Sequence, residues 1–379
     1  MEQKNADNLL QAEVFRWLRF PLIIGVVFIH SIGVPVDVEQ INFVSPSGQD
    51  VYDIVRIAFS NVLARVCVPL FFFMSGYFFF AQLKPWNWQV YVGKLRKRAR
   101  TIMVPYLLWI TIGIGWHCLT LLAKGGNIES IVSFFSEFHY WHMYWDCYEL
   151  DPVKLNWLGF EVYSSAPYHY ALWYLRDLMI MMIIAPFFYL LFKYMNLWGL
   201  LLLLLNYISN IGAIVPELLP TPLLFFGAGA YFQMNNINAI QFFKPYEKIA
   251  YVGAFAFFIL CVRFNSFYTY VGNMFFPFFV LLGCISVLCL ATSVVKHNGC
   301  PLMSSLSESS FFIYLMHTIF VLPFIVSLSL KIGYSLGAFF LILGYLMSPF
   351  VAIALCLLVR RILLKFMPQL YLLLTGGRG

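Results

Sequence analysis

Two ionisable side chains, Arg19 and His30, lie eleven positions apart in the first apolar segment, within RFPLIIGVVFIH. At about 100° per residue, that spacing makes three helical turns plus about 20°, so both side chains share one helix face, about 16 Å apart along the axis. A guanidinium binds phosphates, and an imidazole works as a general base near neutral pH. The pair therefore indicates an anion-binding group and a base along one polar passage.

Each residue by itself has a simpler explanation. Arg19 alone is typical of a side chain that extends to the membrane surface, and His30 alone of a hydrogen bond between helices. However, ionisable groups inside a membrane segment are costly, and packing does not explain two on one face. We therefore predict that Arg19 and His30 are catalytic residues.

The elements that must position this pair are membrane helices. Of the 379 residues, 61% are hydrophobic and 11% charged, and soluble domains average about 25% charged residues. The fold class is predicted as an all-α polytopic bundle of about ten transmembrane helices, forming a single domain over residues 1–379 with no appended soluble domain. The apolar runs, two of them short, are 14–36, 54–81, 101–123, 170–191, 197–215, 220–232, 249–262, 270–295, 309–330 and 335–364.

The distribution of basic residues orients this bundle. Most of the 24 lysines and arginines fall in loops and tails on the same side as the N-terminus, which predicts that both termini are cytoplasmic. The net charge of +7 is then a topology signal and gives no reason to expect a nucleic-acid partner. The eight cysteines show no disulfide or metal spacing, so no metal site is predicted.

A long outer segment, about 124–169, interrupts the apolar pattern with aromatic and acidic residues. Loops of this length in compact proteins are usually functional or disordered. Aromatic faces stack on sugar rings, and carboxylates accept hydrogen bonds from hydroxyl groups. Trp145 and Asp146, with Trp173 in the next span, are therefore candidate substrate-binding residues. An interfacial aromatic belt explains the same composition equally well.

Five stretches, in order along almost the whole chain, resemble the acyltransferase 3 family of integral membrane acyltransferases. Each is weakly specific alone, but the ordered set is specific. Family members often carry Asp three residues before the motif arginine, where this chain has Arg16. The matching stretches are Arg19 with His30, FFFMSGYFF (71–79), RKRARTIMVPYLLW (96–109), ALWYLRDLM (171–179) and LSESSFFIYLMH (306–317).

The resemblance implies a membrane-bound O-acyltransferase in the cell's inner membrane. It implies transfer of an acyl group, typically acetyl, from cytoplasmic acyl-CoA to a hydroxyl of a glycan or lipid-linked sugar, with His30 as general base. Acetyl-CoA would be a co-substrate and no cofactor would stay bound. The expected partners are membrane lipid, acyl-CoA and the saccharide acceptor.

Four further positions are candidates for this chemistry. Arg98 and Arg100 directly precede the third span, so we predict that they bind the phosphates of coenzyme A. Ser75 beside Gly76 is a candidate for a phosphate or amide contact, although small-residue packing explains it as well. His317 lies inside a late span and either contacts the reacting groups, as a substrate-binding residue, or joins two helices.

Three charged residues in the spans need partners. Arg176 and Asp177 are adjacent and do not share a helix face, so each is expected to pair with other groups. Arg65 in the second span also needs an anionic partner, for which Asp177 and Glu308 are the candidates.

The alternative function is a proton-coupled transporter or exporter of a small molecule or glycan precursor. Such a protein also places charges in its membrane spans. The sequence shows no inverted repeat of the kind that many transporters carry.

Overall fold

The computed structural model confirms the all-α architecture. It describes residues 2–33, 36, 40–81, 83, 85–137, 140–149, 154–155, 161–162, 165–209, 219–264, 270–297 and 299–378. The helices are α1 (Glu2–His30), α2 (Gly48–Arg56), α3 (Cys67–Phe80), α4 (Trp88–Arg98), α5 (Val104–Ala123), α6 (Ile128–Glu137), α7 (Tyr140–Trp145), α8 (Trp173–Ile183), α9 (Ala185–Met195), α10 (Leu197–Ser209), α11 (Pro220–Met234), α12 (Ala239–Phe243), α13 (Glu247–Arg263), α14 (Tyr270–Lys296), α15 (Pro301–Leu306), α16 (Ser310–Met316), α17 (Leu322–Leu336), α18 (Ala338–Phe366) and α19 (Pro368–Thr375).

Short irregular turns join several of these helices into longer rods. The π-helical turns are Ile57–Val62, Ala99–Met103 and His317–Val321, and the 3-10 turns are Leu63–Val66, Tyr170–Leu172, Lys244–Tyr246 and Ser307–Ser309. Strand β1 (Tyr148–Glu149) pairs antiparallel with β4 (Ser165–Ala166), and β2 (Lys154–Leu155) pairs antiparallel with β3 (Glu161–Val162). Both hairpins belong to the outer segment, part of which lies outside the described residues.

Six helical rods of the described chain are long and apolar enough to cross a membrane, or seven if the bent pair Tyr170–Ile183 and Ala185–Met195 is one span. The predicted count of ten is not confirmed. Helices α10 and α11 have only 13 and 15 residues, fewer than the roughly 20 that a hydrocarbon core requires. The six rods are Gly48–Phe80, Trp88–Ala123, Ala239–Arg263, Met274–Lys296, Pro301–Leu336 and Ala338–Phe366.

Helix α1 occupies the centre of the bundle. It packs against α3, α14, α15, α16 and α18, and Phe15, Leu18, Ile23 and Val27 on it are at most 1% exposed. These apolar contacts fix the rotation of α1 about its axis. That rotation decides which side chains of α1 face the interior cavity described below.

Helices α3 and α11 cross in backbone contact through two glycines. A Cβ atom on Gly76 would lie 2.1 Å from the carbonyl oxygen of Phe226, and one on Gly229 would lie 2.1 Å from that of Phe73. Any larger residue at either position would force the helices apart. The glycine of the SGYF stretch is therefore a packing residue, and its neighbour Ser75 lines the cavity.

Candidate active site

A cavity of about 560 Å³ lies inside the bundle, a volume in the range of small-molecule sites. Helix α1 contributes Arg19, Ile23, Val26 and His30 to its lining. These positions advance by four, three and four residues, which is one continuous stripe of an α-helix. The structure therefore brings Arg19 and His30 of the first helix to the same cavity.

Three arginines line the cavity at the Arg19 end of the α1 stripe: Arg19, Arg98 and Arg378, which is close enough to the other two to interact with their charges. We call these residues the arginine cluster. Arg100, predicted to act with Arg98, does not line the cavity and is exposed. Two residues along a helix turn the side chain by about 200°, so Arg98 and Arg100 face opposite directions.

Ser75 and Trp173 also line this cavity. The Ser75 hydroxyl lies 3.3 Å from the Tyr174 hydroxyl, so it already has one polar neighbour from α8. The Trp173 ring centre is 6.5 Å from that of Phe72, which holds the indole against α3. Both residues are thus placed where a ligand in the cavity would contact them.

His30, at the other end of the α1 stripe, lies next to two other rings. The His30 ring centre lies 5.1 Å from that of Tyr170 and 5.3 Å from that of His317. His317 begins the π-helical turn of the ninth predicted span and is fully buried. Such turns occur frequently at functional sites. The two histidines therefore come from distant parts of the chain to one point.

The hydrogen bonds of His317 fix its tautomer. Its Nδ1 lies 3.0 Å from the Ile313 carbonyl oxygen and 2.9 Å from that of Tyr314. Carbonyl oxygens only accept, so Nδ1 carries the proton and Nε2 presents a lone pair. Among the described residues, Nε2 is buried and has no hydrogen-bond partner. His317 therefore offers an unused acceptor beside His30.

A third histidine, His169, supports this region without offering a free acceptor. Its Nε2 donates to the Leu315 carbonyl oxygen at 3.0 Å, so Nδ1 is the acceptor. The Thr318 hydroxyl lies 3.4 Å from that Nδ1 and donates to it. His169 is buried, and its two bonds bracket His317 along the chain. It therefore holds the His317 backbone in position.

Trp145 and Asp146 lie outside the cavity lining. The Asp146 carboxylate is 2.6 Å from Nδ1 of His142. The Trp145 carbonyl accepts from Arg176 Nη1 at 2.7 Å, and its ring centre lies 5.7 Å from the same guanidinium. The two contacts with Arg176 attach α7 to α8. The structure thus gives Trp145 an anchoring contact, which the sequence did not predict.

Arg176 and Asp177 form an ion pair with each other, contrary to the prediction that their positions keep them apart. Arg176 also bonds other groups, as predicted. Arg176 Nε lies 2.9 Å from Asp177 Oδ1, and both side chains are 0% exposed. The flexible arginine side chain reaches its neighbour although adjacent residues do not share a helix face. Its Nη1 also donates to the Ser165 hydroxyl at 2.9 Å and its Nη2 to the Ser165 carbonyl at 3.0 Å.

The two candidate partners of Arg65, Asp177 and Glu308, each contact another arginine. Arg65 Nε donates to the Ser60 carbonyl at 3.2 Å, and Glu308 lies 3.7 Å from Arg16 at an exposed position. Within the part of the chain that the structure describes, no three His, Cys, Asp or Glu side chains are grouped as a metal site.

Residues 14–361 match the model of a family described as an acyltransferase domain, Acyl_transf_3. The chain belongs to the acyltransferase 3 family. The protein is therefore a multi-pass membrane enzyme that transfers acyl groups. The match covers the whole cavity lining except Gly377 and Arg378.

One curated relative is similar over most of both chains. It is the succinoglycan biosynthesis protein ExoH of Rhizobium meliloti (strain 1021), 26% identical, with 95% of this chain and 91% of the relative covered. No solved structure matches this chain.

Three residues of the site escaped the sequence analysis. Arg378 follows two glycines near the end of the chain and gives no sequence signal of a binding role. Tyr170 and Tyr174 belong to the ALWYLRDLM region, where their aromatic neighbours resemble any membrane span. Only the packing of distant helices shows that these residues line or border one cavity.

Proposed function

We propose that this acyltransferase moves an acyl group, acetyl in the first instance, from acyl-CoA to a hydroxyl group of a polysaccharide or a lipid-linked sugar. The proposal makes His30 the general base and the arginine cluster the binding site for the donor's phosphates. The protein would act in the cell's inner membrane, with the basic end of the cavity open to the cytoplasm.

The observation that carries this proposal is the polarity of one cavity. Arg19 and Arg98 lie at one end and His30 at the other, and the α1 positions are about 16 Å apart along the helix. Coenzyme A has phosphates at one end, a long pantetheine arm, and the thioester at the other end. A donor bound by its phosphates would extend its arm along the apolar stripe of Ile23 and Val26 and present the thioester near His30.

The chemistry is a transfer from sulfur to oxygen. The acceptor hydroxyl attacks the thioester carbonyl carbon, a C–O bond forms, and the C–S bond breaks. His30 takes the hydroxyl proton and returns it to the departing thiolate, so free coenzyme A leaves as a thiol. The lone pair of His317 Nε2 would accept a hydrogen bond from the His30 ring or from the acceptor hydroxyl. This arrangement follows the general pattern of a base oriented by a second polar group.

Two observations support a saccharide as the acceptor. The relative's name places that protein in the biosynthesis of a polysaccharide, succinoglycan. Here Trp173 lines the cavity, and Tyr170 lies next to His30. Aromatic rings of this kind stack on sugar faces, while the base requires a hydroxyl group to deprotonate.

The test uses the full chain, purified in detergent, with acetyl-CoA and lipid-linked saccharides extracted from the source cells. Coenzyme A release and acetylated product are measured by mass spectrometry, because exposed Cys300 would react with a thiol reagent. The His30→Gln variant should lose at least about 100-fold in kcat, the usual contribution of a general base. The control His297→Gln removes an exposed imidazole outside the cavity and should retain full activity.

Two results would contradict the proposal. If His30→Gln keeps the wild-type rate, His30 is not the base. If the protein moves a saccharide across vesicle membranes and no acylated product forms, the cavity serves transport. Mass spectrometry of cell-surface glycans with and without the gene would identify the acceptor as the species that lacks one acyl group.

A further inference from the structure

The last helix, α19, is fastened to the bundle near the basic end of the cavity. Trp109 Nε1 donates to the Leu374 carbonyl at 3.0 Å, and Arg360 Nε donates to the Tyr371 hydroxyl at 3.0 Å. Tyr371 is only 1% exposed. The segment that follows α19 therefore leaves from a defined position on the bundle.

A glycine turn directs that segment into the cavity. Gly376 ends α19 in the left-handed conformation, with φ of +65°, where a side chain is unfavourable. A Cβ atom at Gly376 would also lie 2.6–2.8 Å from the backbone of Thr101. The Thr375 hydroxyl then donates to the Arg378 carbonyl at 2.7 Å. Position 376 therefore requires glycine for two reasons: the left-handed backbone conformation and the close approach of Thr101.

The turn places the Arg378 side chain among the lining residues of the cavity. Its guanidinium carbon lies 3.8 Å from the ring centre of Phe311, a stacking contact that orients the planar group. Nη1 is buried and has no hydrogen-bond partner among the described residues. A buried guanidinium N–H without an acceptor is costly, so this atom fits a site that an anion completes.

The electrostatic surroundings of Arg378 also favour an anion. Burial lowers the pKa of Arg378 to about 10, with a further contribution from the positive charges of Arg98 and Arg19. The group remains charged at neutral pH. Glu308, the acidic residue of the lining, lies beside Arg16. Three like charges around one cavity repel each other until a polyanion enters.

We propose that Arg378 binds a phosphate group of the acyl donor, so that the C-terminal tail forms one wall of the donor site. This inference rests on the proposed use of acyl-CoA. It adds a binding residue that lies outside the part of the chain matching the family. Arg378 stacks on Phe311 and directs its unsatisfied N–H toward the same anion as Arg19 and Arg98.

The test compares coenzyme A binding to the purified full chain by isothermal titration calorimetry. Arg378→Gln retains much of the side-chain length and loses the charge. It should weaken binding by about tenfold or more, the range for a lost charge-assisted hydrogen bond. Arg378→Lys keeps the charge without the planar fork and should weaken binding less. The matched control is Arg361→Ala, an exposed arginine outside the cavity, expected within about twofold of wild type.

Kinetics and a second probe separate a binding role from a structural one. Arg378→Gln should raise KM for acetyl-CoA while kcat and the acceptor KM change little, because His30 lies at the other end of the cavity. Inorganic pyrophosphate should displace coenzyme A from the wild type more effectively than from Arg378→Gln. If Arg378→Gln does not fold, the same comparisons are made with Arg378→Lys, and wild-type values for it would overturn the inference.

Two outcomes would overturn the inference and leave the proposed function intact, and a third would overturn the proposed donor. Equal coenzyme A affinity in Arg378→Gln and wild type, at equal melting temperature, would show that the tail does not contact the donor. Tighter binding would show that the tail obstructs the cavity. If the wild type does not bind coenzyme A, the proposed donor is wrong, and pyrophosphate binding then decides about Arg378: dependence on Arg378 supports an anion site, and independence refutes it.

Discussion

The unused lone pair of His317 leads to a prediction about catalysis. Asparagine at this position can still donate to the carbonyl groups that now bind Nδ1, but it cannot place an acceptor where Nε2 lies. Glutamine is longer and can place its carboxamide oxygen near that position. His317→Asn should therefore lose activity, and His317→Gln should retain more of it, although both remove the same imidazole ring.

The magnitude follows from the buried environment. His317 is 0% exposed, and its Nε2 lies in a region without another partner among the described residues. Leaving a buried N–H or O–H without its acceptor costs about 1–3 kcal/mol. If that cost falls on the transition state, kcat decreases by about 5- to 150-fold, since about 1.4 kcal/mol corresponds to tenfold. The acetyl-CoA KM should change little, because the arginine cluster is remote.

The assay is steady-state acetyl transfer, measured by mass spectrometry on purified variants of equal melting temperature. The control is His117→Leu, which removes another histidine inside a span. Its ring packs 4.5 Å from that of Phe134 and does not line the cavity. The reasoning is refuted if His317→Asn has the wild-type kcat, or if His317→Gln is the slower of the two variants.

Three other substitutions test the donor site, the contact between α3 and α11, and the buried ion pair of Arg176. Arg98→Ala should raise the donor KM by about tenfold, whereas exposed Arg100→Ala should leave it unchanged in the same kinetic assay. Gly76→Ala should destabilise the protein by about 1–3 kcal/mol, seen as a lower melting temperature, because the new methyl group meets the Phe226 carbonyl. Arg176→Leu should cost about 3–5 kcal/mol and reduce the yield of folded protein, because it leaves the neighbouring buried aspartate without its cation.

Each of these expectations can fail in a distinct way. An Arg100→Ala variant with the larger KM effect would mean that the donor approaches from the opposite helix face. An unchanged melting temperature for Gly76→Ala would mean that α3 and α11 separate at little cost. Normal yield and stability for Arg176→Leu would mean that the ion pair contributes nothing to attaching the outer segment.

The sequence alone determined the helical membrane architecture, because bilayer thickness and backbone hydrogen bonding leave a long apolar chain few other folds. It also placed Arg19 and His30 on one face, since helical periodicity is a local property. The number of spans was harder to predict. Helices α10 and α11 lie in apolar runs of the sequence but are shorter than the bilayer requires.

Only the tertiary structure decided which side chains meet. Arg98 lines the cavity and Arg100 does not, because the rotation of α4 and of the π turn after it is set by packing against other helices. His317 reaches His30 from the other end of the sequence. Arg378 reaches Arg19 through a glycine turn that must fit against Thr101. Such contacts depend on the packing of whole helices, which no local pattern of residues contains.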